Sequence, residues 1–385
     1  MDQQFEFKKE YKIVLGILIG IGIITLVISV ASLPSNRVWA NVLQNNIYFL
    51  AFALVGYLFI SVHIVGQAGW HTSIQRIPEA MGSFLPVAAV LMGVLLFGAH
   101  DLYQWTNEHL DPVLEKKTAY LNIPFFILRM VVYFSGWIFL GSRLRKFSVK
   151  SDTDPDLRYF RKSIYYGSAF IAFFAVTSST ASWDWIMSLD AHWFSTLFGW
   201  YIFISIFVSG IAVIILLVLF LKSQGYLPHV NNEHMHDLGK YLFGFSIFWM
   251  YLWFSQYMLI WYANIPEETV YFIQRVEEHK VLFYGNFIIN FFVPFLILLH
   301  RRAPRLNRVM LVGAVVVFVG HWIDLFLSIM PGVLGDKTVI GIPEIGLTVG
   351  YCGIFVWVVF RSLTKASLVP FNHPFFKESQ EYHNL

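Results

Sequence analysis

Ten stretches of the chain stay apolar for roughly 20 residues, the length a helix needs to cross about 30 Å of hydrocarbon. They predict spans at 11–33, 46–66, 82–103, 123–144, 163–187, 194–221, 241–263, 282–300, 309–330 and 345–364. The breaks between them are short. The longest, 104–122 and 145–162, carry mixed charge and Asp-Pro turn signals, so they read as caps on helices rather than as domains. The first run follows Lys8 and Lys9 and is too long for a signal-peptide core, so it reads as retained. Residues after Lys365, with Pro370 and Pro374, read as an irregular peripheral arm. The pattern predicts an all-α polytopic membrane protein in a single integral domain.

Composition agrees: 57% of residues are hydrophobic and 13% charged, proportions suited to lipid rather than to a soluble core. The single cysteine, Cys352, excludes an internal disulfide framework and a cysteine-ligated iron-sulfur or zinc centre. Charge adds orientation. Twenty of the 27 Lys and Arg fall on the side that carries the N-terminus, six on the other (Arg37, Lys116, Lys117, Arg275, Lys280, Lys337), and Arg129 lies inside a span. The positive-inside rule then puts both termini in the cytoplasm. Basic residues spread over flanking loops give no nucleic-acid surface. Arg301, Arg302, Arg305 and Arg308 serve as topology determinants, with a lipid or partner contact as the other reading.

Polar groups at membrane depth are costly, so each needs a partner or a task. The densest set is TSSTASWDWIMSLDAHWFSTLFGWY, Thr177 to Tyr201, at the outer end of the fifth span. Helical spacing puts Tyr166, Thr177, Thr180 and Asp184 on one stripe, either a proton-conducting row or hydroxyls bonded back to their own helix. His100, Asp101, Arg129, Asp184, Asp190 and His192 all fall at the same outer level, and Asp184 or Asp101 is the expected partner for Arg129. Trp183 and Trp185 flank Asp184. On the ninth span His321 and Asp324 lie three residues apart near mid-membrane, on one helix face. A carboxylate beside an imidazole makes a proton-holding pair or a helix-helix anchor. His63, nearer the cytoplasm, is either a further relay or a packing histidine. On the seventh span Ser246, Trp249, Trp253 and Gln256 share a face, and Asn286 and Asn290 on the eighth could bond across to it. His63, His100, His300 and His321 sit at scattered depths, which disfavours bis-histidine haem.

The segments SWDWIMSLDAHWFSTLFGWY, YLWFSQYMLIWYANIPEET and GHWIDLF, with the ten spans, resemble the NrfD-like superfamily of polysulfide-reductase membrane subunits. The resemblance is nearest to the ActF-type integral subunit of bacterial alternative complex III, and it covers nearly the whole chain. It implies two four-helix bundles, 46–187 and 194–330, with 11–33 and 345–364 peripheral and 365–385 a cytoplasmic tail. It also implies a place in the bacterial inner membrane and partners: a multihaem cytochrome c subunit, an iron-sulfur subunit, a sister NrfD-like integral subunit and, in some assemblies, a terminal oxidase. Haems and clusters belong to those partners. The complex oxidises quinol, menaquinol or ubiquinol. The family's quinone pocket maps to His100, Asp101, Arg129 and Asp184, against Trp183 and Trp185. Because quinol oxidation is credited to the sister subunit, the expected task here is proton movement or coupling, through His321 and Asp324, with His63, Asp184, Thr177 and Thr180 as further path residues. Direct quinol oxidation, with Asp184 or His100 as base, is the alternative. An ion-coupled transporter is a third class, although the sequence has no evident internal duplication.

Overall fold

A computed structural model describes residues 4–383. The described residues form helices and turns and no strand, and ten helices are long and apolar enough to cross a membrane. We number these α1 (Lys9–Ser32), α2 (Ser35–Val65), α3 (Arg76–Leu102), α4 (Ile123–Thr153), α5 (Leu157–Asp190), α6 (Leu197–Ser223), α7 (Asn232–Ala263), α8 (Lys280–Leu298), α9 (Asn307–Leu334) and α10 (Ile342–Leu363). The chain is a multi-pass, all-α membrane protein.

Helices α2 to α5 close one four-helix ring and α6 to α9 a second. The rings join through α2 and α6, which are buried along most of their length, while α5 also packs on α6 and α9 on α2. Outside them, α10 lies against α2 and α3, and α1 packs mainly on α10. Gly22 and Gly350 set that last contact, because a Cβ on either would run into the backbone of the other. Small residues at such a crossing let two backbones approach, which in lipid replaces the missing hydrophobic drive. The outer face of α1 exposes Ile13, Val14, Ile17, Ile24, Val27 and Ile28 to the bilayer.

The first and last described segments lie at one end of the molecule, where Asn231, just before α7, donates to the Tyr382 carbonyl. Phe5 packs on Tyr226 and Phe360, at the ends of α6 and α10. We call this the terminal face. Charged and amide residues shift several boundaries from those expected. Helix α2 begins at Ser35, not 46, because the polar residues of its first turns find partners on other helices. Arg37 and Asn41 bind the buried Glu344 at 2.9 Å each, Thr348 donates to Asn45, and Tyr351 donates to Asn46. Most of 145–162 is helix rather than loop, an extension of α4 and the start of α5, with a break at 154–156. Arg76, which falls between the second and third expected spans, is buried between Glu79 (2.7 Å) and Asp152 (2.6 Å). The C-terminal segment is irregular but not peripheral. Leu368, Val369, Phe376 and Ser379 are buried, and the Ser379 hydroxyl donates to the Trp70 carbonyl.

Prolines mark the irregular turns. The break in α3 at Ser83 and Phe84 comes just before Pro86, and α8 opens into a π turn at Ile288–Phe292, just before Pro294. Each proline removes an amide and crowds the carbonyl four residues back, so the helix must widen or break.

Candidate functional site

In the half of the molecule away from the termini, each bundle buries one aspartate on its fourth helix. In the first, α5 presents Asp184, 1% exposed. Arg129 Nε, from the second turn of α4, donates to its Oδ2 at 2.8 Å, and Tyr133 donates to the same oxygen at 2.8 Å. The Arg129 guanidinium lies 3.9 Å from the Tyr120 ring centroid and 4.4 Å from that of Phe125, and its Nη1 donates to the Tyr120 carbonyl. Asp184, not Asp101, is therefore the partner of Arg129. Among the described residues Asp184 Oδ1, Arg129 Nη2 and the indole nitrogens of Trp183 and Trp185 are buried without a hydrogen-bond partner.

In the second bundle α9 presents Asp324, also 1% exposed. Four neutral donors converge on its carboxylate: the Tyr201 hydroxyl, the Ser205 hydroxyl (2.7 Å), Trp249 Nε1 (3.0 Å) and Asn286 Nδ2 (2.7 Å). They come from α6, α7 and α8, so every other helix of the bundle holds this one group. His321 Nδ1 lies 3.8 Å from Asp324 Oδ2 and 3.0 Å from Ser205 Oγ. The Ser205 hydroxyl has one proton, which it gives to Asp324. Its oxygen then accepts from His321 Nδ1–H, which leaves Nε2 as the basic nitrogen of the neutral ring. Among the described residues His321 Nε2 is buried and has no partner. From Asn286 the chain runs one turn further, Asn290 donating at 2.6 Å, and ends at the unpartnered Asn290 Oδ1.

A helix that the sequence reading missed, Pro266–Glu278, covers this bundle. Its Tyr271, Phe272 and Arg275 face inward. Arg275, expected in a surface loop, is 3% exposed; its Nε donates to the Leu327 carbonyl at 2.9 Å and its Nη1 to that of Tyr271 at 2.8 Å. The Leu327 carbonyl is free because Pro331, four residues on, has no amide to give it. Burial lowers the affinity of Arg275 for its proton, though not far enough to discharge it. A cavity of about 20 Å³ lies between Arg275, Gln256 and Asp324, room for roughly one water. Asp324 stands ten residues, roughly 15 Å at 1.5 Å per residue, from the Leu334 end of α9.

The two sites share a plan. Each aspartate begins an Asp-x-x-x-Ser run, and Ser188 and Ser328 donate back to the carbonyls of Asp184 and Asp324. Each receives a tyrosine hydroxyl, and each bundle has an arginine stacked on a tyrosine, Arg275 lying 3.4 Å from the Tyr271 ring centroid. In sequence the likeness is confined to that short run, too little to mark a duplication. They differ in one respect: Arg129 is ion-paired to Asp184, whereas Asp324 is held by neutral groups with a titratable imidazole beside them.

The other expected residues are dispersed. His100 and Asp101 are exposed on the flank of α3, where Asp101 accepts from Ser35 at 2.7 Å, so they do not join Arg129 and Asp184. His192 pairs with Asp111 at 2.6 Å on the surface. Thr177 and Thr180 donate to carbonyls of their own helix, and Trp137 donates to Thr177, so the hydroxyl stripe is bonded locally. His63 lies at the terminal face, with Nδ1 on the Phe59 carbonyl (2.7 Å) and Nε2 on the Tyr241 hydroxyl (3.1 Å). Tyr48, whose hydroxyl donates to the Phe318 carbonyl close to His321, is 15 residues from His63 on α2, roughly 22 Å. The buried side chains between them, among them Phe52, Val55, Ile211 and Val317, are mostly apolar. Among the described residues no group of three or more His, Cys, Asp or Glu is arranged to hold a metal ion. No protein-family model matches the chain, and no curated protein matches it.

Proposed function

We propose that this chain is an integral subunit of a quinol-oxidising respiratory complex of the alternative complex III type, in a bacterial inner membrane, and that its second bundle holds and passes protons. The observation that carries the proton role is the His321 Nε2 atom, buried, unpartnered and basic, on a ring whose other nitrogen is tied through Ser205 to Asp324. A proton taken at Nε2 creates an imidazolium whose charge is compensated by a carboxylate 3.8 Å away. Loss of that proton leaves a carboxylate that keeps its four donors. Either state is tolerable in a buried site, which a lone histidine or a lone aspartate would not offer. The small cavity toward Arg275 supports a water step on the side away from the termini.

The assembly rests on the resemblance of the three quoted segments. In this reading the multihaem cytochrome c and iron-sulfur subunits carry the electrons, a sister integral subunit oxidises quinol, and this chain supplies no redox centre. A tagged chain drawn from its native membranes should bring haem-staining and iron-sulfur polypeptides with it. Isolation as a lone working ion carrier would overturn the assembly and favour transport.

A second reading has its own observation. Among the described residues Asp184 Oδ1 and Arg129 Nη2 are buried and unpartnered, on two side chains already joined at 2.8 Å, a set able to take both the donor and the acceptor of a quinol hydroxyl. The cavity beside Trp185 holds only about 30 Å³, too little for a quinone ring without movement of α5.

A further inference from the structure

At the terminal face, between α3, α4 and α10, lies a cavity of about 620 Å³, within the ≈300–1,000 Å³ range of small-molecule sites. Four cations line it: Arg145 and Lys146 from α4, Arg361 and Lys365 from the end of α10 and the residues after it. Among the described residues no carboxylate lines it. Among the described residues none of the four takes part in an ion pair. Glu79, whose charge Arg145 senses, is already bonded to Arg76 at 2.7 Å.

The site is built rather than incidental. Arg145 is fixed across three helices by the hydroxyls of Ser83 and Ser362 and by the Ser362 carbonyl at 2.7 Å. Tyr57 also lines the cavity, its ring fitted against Gly82 and Gly141. It is 4% exposed, yet among the described residues its hydroxyl has no hydrogen-bond partner. Leu85, Pro86, Val87, Ile138, Val149 and Val358 form an apolar wall, with Ser142 and Trp357 completing the lining. Uncompensated positive charge beside a wall of apolar side chains, all between spanning helices, matches an amphiphile whose head is an anion.

We infer that this cavity binds an anionic phospholipid, its phosphate on Arg145, Lys146, Arg361 and Lys365 and an acyl chain along the apolar wall. Four cations exceed the single charge of one phosphodiester. A headgroup with two phosphates therefore binds more tightly than one with a single phosphate. Basic pockets between helices favour such lipids by charge, and each cation adds to affinity. A soluble phosphate shares the headgroup chemistry but leaves the apolar wall unused.

The test uses the delipidated full-length protein in neutral detergent, titrated with cardiolipin, phosphatidylglycerol, phosphatidylcholine and inorganic phosphate. Cardiolipin should bind more tightly than phosphatidylglycerol, and phosphatidylcholine should not bind. Lys146→Gln, Arg361→Gln and Lys365→Gln combined spare the inter-helix bonds of Arg145 and should weaken cardiolipin binding about 100-fold. The lipid-free melting temperature should not change. If the combined variant fails to fold, Lys146→Gln alone, an exposed position, should weaken binding about 5-fold. Equal binding of phosphatidylcholine, or undiminished binding by the variants, overturns the site. Displacement of cardiolipin by an equal concentration of inorganic phosphate overturns the lipid assignment in favour of a soluble anion.

Discussion

Replacing Arg129 with Gln leaves Asp184 at 1% exposure with Tyr133 as its remaining side-chain donor. Breaking one side of a buried ion pair costs about 3–5 kcal/mol, because the surviving charge is stranded. Loss of the stacking on Tyr120 and Phe125 adds about 1 kcal/mol. Asp184→Asn strands the guanidinium instead and should cost a similar amount. Both changes together leave two neutral amides at hydrogen-bonding distance, and neither charge is stranded. The double variant should therefore be less destabilised than the two single losses summed, with a coupling of about 2–3 kcal/mol. The assay is denaturant unfolding of the full-length chain in detergent, followed by helical circular dichroism, for wild type and the three variants. Additive losses would refute the argument that Arg129 and Asp184 lock α4 to α5. The double variant also separates the two functional readings. If the pair is only a lock, the proposed complex assembles and still oxidises quinol; if the pair receives quinol, turnover is lost in an assembled complex.

Three further outcomes follow from other parts of the molecule. Gly350→Leu forces α1 off α10, since there is no room for even a Cβ against Gly22. Cross-linking between cysteines placed on the two helices should then fail while α2 to α9 stay folded. Arg275→Gln leaves the Leu327 carbonyl without its donor, at a cost of about 1–3 kcal/mol, and should speed amide exchange in 266–278 more than elsewhere. The docked C-terminal segment should respond to acid. Burial pulls His373 down to about 4 and holds His71 well below the ordinary imidazole range, while Glu79 and Arg76 act on His373 in opposite directions. Both rings are neutral when docked. An undocked segment binds more protons between about pH 6.5 and 4, so docking is at full strength above about 6.5 and weakens as pH falls through that window. Spin labels on Glu381→Cys and Ser223→Cys, in a Cys352→Ser background, should separate on acidification, and less so in His373→Phe.

The ten spans were legible because hydrophobic length is a physical requirement of the bilayer, and only their ends were misjudged. Helix α2 starts eleven residues early because Asn41, Asn45 and Asn46 find partners on α10, a fact of tertiary packing that polarity alone hides. The proximity of His321 and Asp324 was legible from helical spacing, and so was the inward face of Ser246, Trp249 and Gln256. Tyr201 and Ser205 were not, since nothing local marks which hydroxyls on α6 will meet α9. Arg275 was missed because an amphipathic helix between two spans reads as a loop. Two signals were present: Tyr271 and Arg275 are one turn apart, and Pro331 leaves a carbonyl in need of a donor. His100 and Asp101 were grouped with Arg129 on depth alone, and depth does not fix which side of a helix faces the bundle.

Proton movement by the His321–Asp324 pair is the central claim of the proposed role. The direct measurement is on the intact complex reconstituted in vesicles: quinol turnover and protons released per electron, for wild type and Asp324→Asn. Turnover that survives while protons per electron fall is the predicted result. An assembled complex in which both stay at the wild-type level would contradict it and leave the pair as an anchor between helices.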